Sequence, residues 1–346
     1  MYNLDPFDTR ILSVGTALPG APVDNSTLAR RFGMDALWEQ WVDAFIGTRF
    51  RHLAVDVETG EQTATLADLA ERAGRRALEA ADVAPHEIDL VVMGTSTPDQ
   101  LMPATVNVVA DRLGINDVPS YQLQSGCSGA VQALDVARQM LLTGRHRTAL
   151  VLGGDVVARF YDMAADLRSL PPEQLVNYVL FGDGAGAVVL TTEPAPGAAS
   201  LRAVRTRLVG LGMEPGALLE WRGPVDRDSG RPPAAEDYKA IERHVPAMAA
   251  RMLAEMLEET GWRPTDVNHL LPPQLSGRMT ERIVSHLGLT TAAEVSCVDE
   301  TGNNGNALVF FQLERALGKL GPGERAVGIA IESSKWIKSG FALERE

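Results

Sequence analysis

The chain has 346 residues, of which 45% are hydrophobic and 22% are charged, a composition typical of a globular protein. Its 45 acidic and 32 basic residues give a net charge of −13, which argues against nonspecific binding to nucleic acid or anionic lipid. No apolar run approaches the roughly 20 residues that span a bilayer, and residues 1–10 lack the apolar core of a signal peptide. We therefore expect a cytoplasmic protein with no nucleic-acid or membrane partner.

Short β-branched runs alternate with amphipathic helical patterns along the first half of the chain. They predict strands over residues 10–18, 89–97, 148–157 and 185–193, and helices over 63–81 and 128–143. The pattern begins again after residues 194–200, which are rich in Pro, Gly and Ala. We therefore place a boundary there, between an N-terminal unit (1–195) and a C-terminal unit (196–346).

The second half repeats the alternation of strands and helices. It has strand-like runs at 201–211, 267–271, 293–298 and 326–333, and helical patterns at 238–260, 280–287 and 306–317. The two halves together predict an α/β fold with a mostly parallel sheet. Residues 213–237 differ, since they are rich in Pro, Gly and charge and have no period. We expect this long segment to form a lid or entrance wall, with a solvated loop as the alternative.

One of the two cysteines, Cys127, stands in the stretch "QSGCSGA", immediately before a predicted helix. Unpaired N–H groups at a helix N-terminus favour the nucleophilic thiolate and lower the pKa of a thiol. Gly126 and Gly129 permit a tight turn and a close approach of substrate. Cys297 lies in an apolar stretch, where a structural role is expected. Two cysteines so far apart form no disulfide framework, so a reduced Cys127 is the candidate nucleophile.

The sequence shows no pattern for a metal or a nucleotide cofactor. Its six histidines are scattered without ligand spacing, and "GDGAGA" (182–187) does not fit a dinucleotide fingerprint. We therefore expect no metal and no cofactor. His244 lies on the predicted 238–260 helix with Met248, Met252 and Met256, a stripe spaced by four that we assign to the core.

Four segments occur together in this order: "TSTPDQLMPATVNVVADRLGI" (95–115), the cysteine segment (121–141), "LFGDGAGAVVL" (180–190) and "VDETGNNGNAL" (298–308). Together they resemble the β-ketoacyl-acyl carrier protein synthase III family, which has the thiolase fold. The resemblance implies a duplicated five-layer α/β/α/β/α sandwich and a homodimer, in which Met102 of the partner subunit faces the active site. It also implies a pantetheine thioester, carried by an acyl carrier protein, as the donor.

The sequence departs from the family at its Cys-His-Asn triad. Cys127 and Asn303 match two members, but Pro273 occupies the histidine position. His269 lies four residues upstream, roughly 13 Å along a strand, and is expected to be a core or strand-end histidine. Decarboxylation of a malonyl group forms an enolate that both His and Asn stabilise, and loss of one such donor typically costs about 10²–10³ in rate. The departure therefore favours acyl transfer over carbon–carbon bond formation.

Two further positions concern the donor. Trp41 matches a tryptophan that contacts the CoA adenine in the family, but Phe45 replaces the matching arginine. Arg278 matches an arginine near the pantetheine tunnel that meets acidic carrier proteins, and a cation there suits such docking. The alternative for Arg278 is an ordinary solvated residue. We therefore expect a carrier-bound donor.

The family's C-terminal glycine loop, which supplies an N–H to the oxyanion hole, is replaced by "AIESSKW" (330–336). The backbone of Ser333 or Ser334 is expected to supply this N–H, together with that of Cys127. Glu332 is a candidate base for the acceptor or an orienting group, with a surface or ion-paired carboxylate as the alternative.

These features predict an acyltransferase. Cys127 takes an acyl group, such as an aromatic polyketide acyl group of salicylic or orsellinic type, from an acyl carrier protein and passes it to a hydroxyl or amine of a small-molecule acceptor in antibiotic biosynthesis. The alternatives are a decarboxylative β-ketoacyl synthase, a thioesterase-like hydrolase, and a non-catalytic partner that binds carrier protein. An intact cysteine at a helix start argues against the last of these.

Overall fold

The computed structural model describes residues 9–221 and 234–346. In chain order the strands are β1 (Thr9–Ala17), β2 (Val23–Asp24), β3 (Phe50–Arg51), β4 (Leu90–Thr95), β5 (Ser120–Gln124), β6 (Thr148–Asp155), β7 (Gly184–Thr191), β8 (Ala199–Leu208), β9 (Ala217–Leu219), β10 (Ala234–Glu236), β11 (His269–Leu271), β12 (Ala293–Glu294), β13 (Arg325–Glu332) and β14 (Ile337–Arg345). The helices are α1 (Asn25–Phe32), α2 (Ala36–Trp41), α3 (Leu66–Ala81), α4 (Thr105–Leu113), α5 (Gly129–Leu142), α6 (Pro172–Leu180), α7 (Tyr238–Thr260), α8 (Gly277–Leu287), α9 (Val298–Thr301) and α10 (Leu308–Leu317). A π-helical turn, Val42–Ile46, follows α2.

The main sheet is built from two matching sets of strands. Its order is β12-β11-β13-β14-β8-β1-β7-β6-β4-β5, so that β5, β4, β6, β7 and β1 match β12, β11, β13, β14 and β8. The first three strands of each set pair in parallel, and the remaining pairings are antiparallel. β1 and β8 join the two sets over a short stretch, Thr9 to Ile11 against Leu201 to Ala199. The fold is therefore duplicated, with the change from one half to the other between β7 and β8.

Three layers of helices surround the two halves of the sheet. α3 and α4 cover one outer face, where Leu69 and Val109 share a core with β4, β6 and β7. α5 and α10 lie between the halves, where Leu134 and Phe310 belong to a core formed with strands of both. α7 and α8 cover the other outer face through buried residues such as Met252. This is the five-layer α/β/α/β/α sandwich of the thiolase fold.

Side-chain caps fix where two of the longest helices begin. Thr65 accepts a hydrogen bond from the Asp68 N–H, and Asp68 accepts one from the Thr65 N–H, so α3 starts with a capping box. Asp237 accepts a hydrogen bond from an N–H of the first turn of α7. The corresponding predicted helices are confirmed. No helix within residues 9–221 and 234–346 is long and apolar enough to cross a bilayer.

The methionine stripe of α7 lies in the core, as the sequence predicted. Met248, Met252 and Met256 are buried among residues of β13 and β14. His244, on the same helix, packs edge-on against Trp336, with ring centroids 5.0 Å apart. This helix face therefore has a packing role.

The sheet is mixed, so the prediction of a mostly parallel sheet was wrong. β13 and β14 are joined by only four residues, 333–336. A connection this short permits an antiparallel hairpin, whereas a parallel pair needs a crossover of a dozen residues or more. The relative direction of two strands here depends on the length of their connection. The hydrophobic pattern of the sequence carries no information about that direction.

The strand expected over 293–298 is mostly absent, because only its first two residues pair, as β12. The side-chain oxygen of Gln274 accepts the N–H groups of Cys297 and Val298 at 2.6 and 2.9 Å. Those groups are thereby satisfied without a strand neighbour, and the chain turns into α9. The helix expected over 306–317 begins as a 3₁₀ turn, Gly305–Ala307, and continues as α10.

The described part of the 213–237 segment contains an antiparallel ribbon, β9 paired with β10. The sequence shows no period there because each strand has only three residues. The base of the ribbon is tied to the β13–β14 turn: the Gly216 N–H donates to the Ser333 carbonyl at 2.9 Å, and the Trp336 indole N–H donates to the Glu214 carbonyl at 2.7 Å. Residues 222–233 of this segment lie outside the described residues.

Candidate active site

Cys127 lies in the turn that leads from β5 to α5, at the end of the sheet where the parallel strands β4, β5 and β6 finish. It is partly buried and lines a cavity of about 290 Å³ between the two halves of the fold. Asn303, Pro273, Glu332 and Ser334 line the same cavity. The structure therefore brings together the five residues that the sequence placed at the centre of the site.

Glycines allow the cysteine turn to pack closely against its surroundings. A Cβ atom on Gly126 would lie 3.2 Å from the carboxyl carbon of Glu332, and one on Gly129 would lie 2.5 Å from Oδ1 of Asn306. The first contact is tight and the second is impossible without a shift. Close packing of the turn against the C-terminal half thus accounts for glycine at both positions, and the close approach of substrate stays a prediction.

Glu332, the last residue of β13, is buried directly beside this turn. Its Oε2 atom accepts hydrogen bonds from the hydroxyls of Ser125 and Ser128 at 2.6 and 2.7 Å. Its Oε1 atom accepts a hydrogen bond from the Ser334 hydroxyl. The side-chain amide of Gln132 donates to both Ser125 and Ser128. The carboxylate thus holds the residues on either side of Cys127 and is not a surface group.

The surroundings of Cys127 do not favour a thiolate, contrary to the expectation from its helix-start position. Burial raises the pKa of the thiol, and the carboxylates of Glu332, Asp155 and Glu236 add to the effect, against a hydrogen bond from its own N–H. The first N–H groups of α5 have other acceptors. The Gly129 N–H donates to the Gly126 carbonyl, and the Ala130 N–H donates to Oδ1 of Asn306, each at 2.8 Å. Both observations favour the neutral thiol of Cys127 over the thiolate.

Asn303 is fixed by both its backbone and its side chain. It is buried, and its N–H donates to the Leu180 carbonyl at 3.0 Å. The side-chain Nδ2 donates to the Leu275 carbonyl at 3.3 Å, and Oδ1 accepts the Gly305 N–H at 3.1 Å. Asn303 lines the cavity from the half opposite Cys127, and its catalytic role stays a prediction.

Pro273 is buried two residues beyond the end of β11 and lines the cavity. Its side chain offers neither a proton nor a hydrogen-bond donor. His269 does not line the cavity, because it lies within β11 and its Nε2 contacts Oε2 of Glu324 at 3.1 Å. The sequence-based assignment of His269 to a strand-end position is confirmed.

Asp155, the last residue of β6, is a cavity residue that the sequence did not single out. Its oxygens accept hydrogen bonds from the N–H groups of Ser96, Thr97 and Asn306 at 2.7 to 3.1 Å. Burial raises its pKa, which these hydrogen bonds oppose. The sequence feature that could have indicated Asp155 as a site residue is a lone aspartate at the end of the apolar run "TALVLGGD" (148–155).

A second polar group of the cavity was also missed. Glu236 ends β10 and lines the cavity together with Tyr161 and Asn177. Tyr238 lies beside Glu236, and its hydroxyl donates to Oδ1 of Asn177 at 2.7 Å. Because Glu236 belongs to the aperiodic 213–237 segment, no hydrophobic pattern indicated where its side chain lies.

The four residues expected at the donor entrance do not line this cavity within their own chain. Phe45 and Met102 are 68% and 87% exposed, and Trp41 is partly buried against the α1–α2 region. Arg278 is exposed, donates from Nε to the Ala44 carbonyl at 3.0 Å, and forms an ion pair with Glu281. Arg278 and the Trp41–Phe45 turn therefore meet on one surface, and Met102 lies on an exposed loop before α4.

Within the described ranges no group of three or more His, Cys, Asp or Glu side chains is arranged to hold a metal ion. The second cysteine, Cys297, is fully buried, and Gln274 Nε2 donates to its sulfur at 3.7 Å. Its predicted structural placement is confirmed.

Comparison with known proteins gives a consistent relationship. A family profile described as 3-oxoacyl-[acyl-carrier-protein (ACP)] synthase III matches residues 121–206, and the C-terminal profile of that name matches residues 257–333. A β-ketoacyl-[acyl-carrier-protein] synthase III of Neisseria meningitidis is 31% identical over 336 residues, 96% of each chain. One from Rhodospirillum centenum is 35% identical over 315 residues, 90% of this chain and 91% of the relative.

Solved structures match over nearly the whole chain. A structure described as "AbyA1 - tetronic acid condensing enzyme" is 68% identical, covers 97% of this chain and 99% of its own, and superposes with a TM-score of 0.95. The priming β-ketosynthase of the R1128 polyketide pathway is 28% identical, with coverages of 98% and 96% and a TM-score of 0.83. A 3-oxoacyl-(acyl carrier protein) synthase III of Pseudomonas aeruginosa is 27% identical, with coverages of 98% and a TM-score of 0.82.

Proposed function

The chain belongs to the β-ketoacyl-acyl carrier protein synthase III family, and from that premise we propose that it is a condensing enzyme acting on carrier-bound acyl thioesters without decarboxylation. Cys127 takes the acyl group of a pantetheine thioester and holds it as a thioester of its own sulfur. A second acyl thioester then attacks the bound carbonyl through carbon. The observation that carries the proposal is a cavity in which Cys127 and Asn303 meet while Pro273 supplies no side-chain donor.

The product class comes from the solved structure that is 68% identical to this chain and is described as a tetronic acid condensing enzyme. A tetronic acid is a five-membered lactone with an enolised ketone β to the lactone carbonyl, so that one ring carbon lies between the two carbonyl carbons. Its assembly from two acyl thioesters forms one C–C bond and one C–O bond and releases two thiols. The C–C bond joins the Cys127-bound carbonyl to a carbon lying between two carbonyls of the second substrate. The C–O bond joins a hydroxyl of the first acyl group to the thioester carbonyl of the second.

Condensation is possible without the histidine if the attacking carbon lies between two carbonyls, because its C–H bond is acidic. Such a carbon loses a proton to a base, and its charge spreads over two oxygens, so no carboxylate has to leave. Decarboxylation of a malonyl group instead places charge on one thioester oxygen, where a preorganised donor is worth about 10²–10³ in rate. Pro273, which matches the position of that donor in the family, is compatible with the first reaction and unfavourable for the second.

Simple acyl transfer to a hydroxyl or amine is the second candidate, and it is the function that the sequence alone predicted. The same observation at Pro273 favours it, since transfer to oxygen or nitrogen forms no enolate. Acyl transfer to a hydroxyl also forms the same kind of bond, an ester C–O bond, as the closure of the lactone ring. An aromatic donor of salicylic or orsellinic type belongs to this candidate. The two candidates differ in whether a C–C bond forms.

Roles for the remaining site residues follow from their contacts. The N–H of Cys127 and the backbone beside Ser334 would hold the thioester oxygen as it becomes negative, with Asn303 polarising the same region. Glu332 would orient the cysteine turn, because its oxygens accept hydrogen bonds from Ser125, Ser128 and Ser334. No resident metal or cofactor is needed for these steps.

Partners are proposed from the family and from exposed groups. An acyl carrier protein would deliver the thioester and dock beside Arg278 and the Trp41–Phe45 turn, where an exposed cation attracts an acidic partner. A homodimer would place Met102 of the partner subunit at the cavity, in keeping with the 87% exposure of Met102 in the single chain.

The test is intact-mass spectrometry of the protein with a panel of acyl thioesters, followed by addition of second substrates. We expect one acyl adduct, which a β-ketoacyl thioester discharges with release of two thiols for each product. If hydroxyl or amine acceptors discharge the adduct and β-ketoacyl thioesters do not, the second candidate is correct. If water alone discharges it, the protein is a hydrolase. No adduct with any donor on folded protein would contradict all three and favour a non-catalytic carrier-binding partner.

A further inference from the structure

One wall of the cavity carries a carboxylate oxygen and a hydroxyl that lack hydrogen-bond partners. Glu236, at the end of β10, and Tyr161, between β6 and α6, both line the cavity that contains Cys127. Among the described residues, the Oε2 atom of Glu236 and the hydroxyl of Tyr161 are buried without a hydrogen-bond partner. Buried polar groups are normally paired, so two such groups in a substrate cavity point to a ligand that completes their hydrogen bonds.

Both groups are held in position by their neighbours. The ring of Tyr161 packs against that of Tyr178 on α6, with centroids 4.9 Å apart. Glu236 lies against Tyr238, whose hydroxyl is itself fixed by Asn177 at 2.7 Å. A proton acceptor and a hydrogen-bond donor at fixed positions are what removal of a proton beside a carbonyl requires.

The other carboxylates of the cavity are already engaged. Glu332 accepts hydrogen bonds from three serine hydroxyls, and Asp155 accepts them from Ser96, Thr97 and Asn306. Taking a proton from a substrate would cost either group these bonds. Of the three carboxylates that line the described cavity, only Glu236 has a buried oxygen with no partner.

Resting on the proposed condensation, we propose that Glu236 is the base that removes the proton from the second substrate. The Tyr161 hydroxyl donates a hydrogen bond to the substrate oxygen that becomes negative. The substrate recognised by this wall is therefore an acyl thioester whose reacting carbon lies between two carbonyls.

The step balances without any further reactant. The Glu236 carboxylate takes the proton from the carbon, and the electron pair of that C–H bond forms the new C–C bond to the Cys127-bound carbonyl. The bond between that carbonyl and the Cys127 sulfur breaks, and the sulfur keeps its electron pair. The proton then passes from Glu236 to the departing thiolate, which restores both groups.

The electrostatic surroundings suit this exchange. Burial raises the pKa of Glu236 to about 7, although a hydrogen bond with Tyr238 opposes the shift. A base with such a pKa gains and loses a proton readily near neutral pH. Burial and the nearby carboxylates raise the pKa of Cys127, so the departing thiolate readily takes the proton back.

Glu236→Gln tests the assignment, because it keeps the size of the side chain and removes the base. The variant is acylated, its intact mass is recorded, and a β-ketoacyl thioester is then added. We expect acylation at or above the wild-type rate, since loss of a nearby negative charge lowers the pKa of Cys127. Turnover should fall by at least about 10²-fold, with the acyl-enzyme accumulating. Tyr161→Phe should lower turnover by about 10²-fold and leave acylation unchanged.

Glu214→Gln is the matched control, since Glu214 belongs to the same segment, is exposed and does not line the cavity. It should react at wild-type rates in both steps, and Glu236→Asp, which keeps a carboxylate, should recover part of the rate. Wild-type turnover by Glu236→Gln would overturn the assignment. Loss of acylation by folded Glu236→Gln would also overturn it, because the carboxylate would then act on Cys127. If the wild-type protein forms no adduct or no C–C product, the proposed function itself fails.

Discussion

The two cysteines occupy matching places in the two halves of the molecule and have opposite environments. Cys127 follows β5 and Cys297 follows β12, and each of these strands lies at the outer edge of its half and pairs in parallel with its neighbour. Cys127 lines the cavity, whereas Cys297 is fully buried beneath the amide of Gln274. Duplication supplied both positions, and the side chains around each decide which thiol meets a substrate.

The two thiols differ in their access to the cavity, whereas burial raises the pKa of both. Burial raises the pKa of Cys297 to about 11, and burial also raises the pKa of Cys127. Glycines flank the turn at Cys127, and none lies next to Cys297. A helix-start position therefore does not by itself produce a reactive thiolate in this fold.

Two carboxylates at the ends of matching strands, Asp155 and Glu332, each hydrogen-bond to a turn in the other half of the fold. We call them the crosswise carboxylates. Asp155 ends β6 in the first half and binds Asn306 just before α10 of the second half. Glu332 ends β13 in the second half and binds Ser125 and Ser128 just before α5 of the first. Each half thus positions the functional turn of the other, so the cavity depends on both halves being folded together.

The largest expected effect distinguishes the two thiols and comes from replacing each cysteine by alanine. Cys127→Ala should abolish the acyl adduct, because no other thiol lines the described cavity. Cys297→Ala should acylate like the wild type and lose about 1 kcal/mol of unfolding free energy, as is usual for a small buried truncation. Intact mass and thermal unfolding measure the two effects. Acylation that survives in Cys127→Ala and disappears in folded Cys297→Ala would reverse the assignment.

The crosswise carboxylates give the next largest effect. Glu332→Gln keeps the shape of the side chain but removes the charge that accepts three hydroxyls, and hydrogen bonds to a charged group are worth about 1.5–3 kcal/mol. We expect a lower melting temperature and acylation slowed by about 10²-fold, since small displacements of a nucleophile have effects of that size. Single-turnover acylation measures this. A variant that acylates normally but fails in the second step would show that Glu332 is a base and not a positioning residue.

The pH dependence of the second step offers a smaller and graded test. Tyr161, Tyr238 and Cys127 face Glu236, and all three stay neutral near pH 7, since burial raises their pKa values further above that pH. Glu236 must be deprotonated to act as a base, so turnover should rise about tenfold for each pH unit below about 7 and level off above it. Glu236→Gln should lose this slope. An identical slope in wild type and variant would assign the titration to another group.

The mildest expected effect concerns the packing of the cysteine turn. Gly126→Ala would bring its Cβ atom 3.2 Å from the Glu332 carboxyl carbon, a contact that a small shift relieves. We expect acylation slowed by about threefold and little change in unfolding free energy, within the roughly ±0.5 kcal/mol of uncritical substitutions. Acylation kinetics and thermal unfolding measure both. A loss as large as that of Glu332→Gln would mean that the turn cannot shift at all.

Many strands and helices could be predicted from the sequence, because local patterns of hydrophobic residues and helix caps determine them. The buried runs that became β1, β4, β6 and β7 and the amphipathic run that became α3 are set by periodicity and caps. The mixture of parallel and antiparallel strands, and the absence of most of the strand expected over 293–298, could not be predicted from the sequence. Both depend on contacts between distant residues, such as the hydrogen bonds of Gln274 to Cys297 and Val298.

The site was predicted where a residue type is itself informative. Cys127, Asn303 and Pro273 do meet in one cavity, and Glu332 lies among them. Glu236 was missed because a three-residue strand in an aperiodic segment has no pattern that reports its direction. The raised pKa of Cys127 was missed because it arises from burial and from carboxylates that are distant in sequence.

Release of carbon dioxide during condensation distinguishes the proposed reaction from a decarboxylative one. The acylated protein would be mixed either with a malonyl thioester labelled in its free carboxylate or with a β-ketoacyl thioester, and gas and products would be quantified. We expect product only from the β-ketoacyl thioester, with the mass of both acyl thioesters minus two thiols, and no labelled carbon dioxide from the malonyl thioester. Stoichiometric release of labelled carbon dioxide, with a C–C product from the malonyl thioester, would contradict this expectation and identify a decarboxylative synthase.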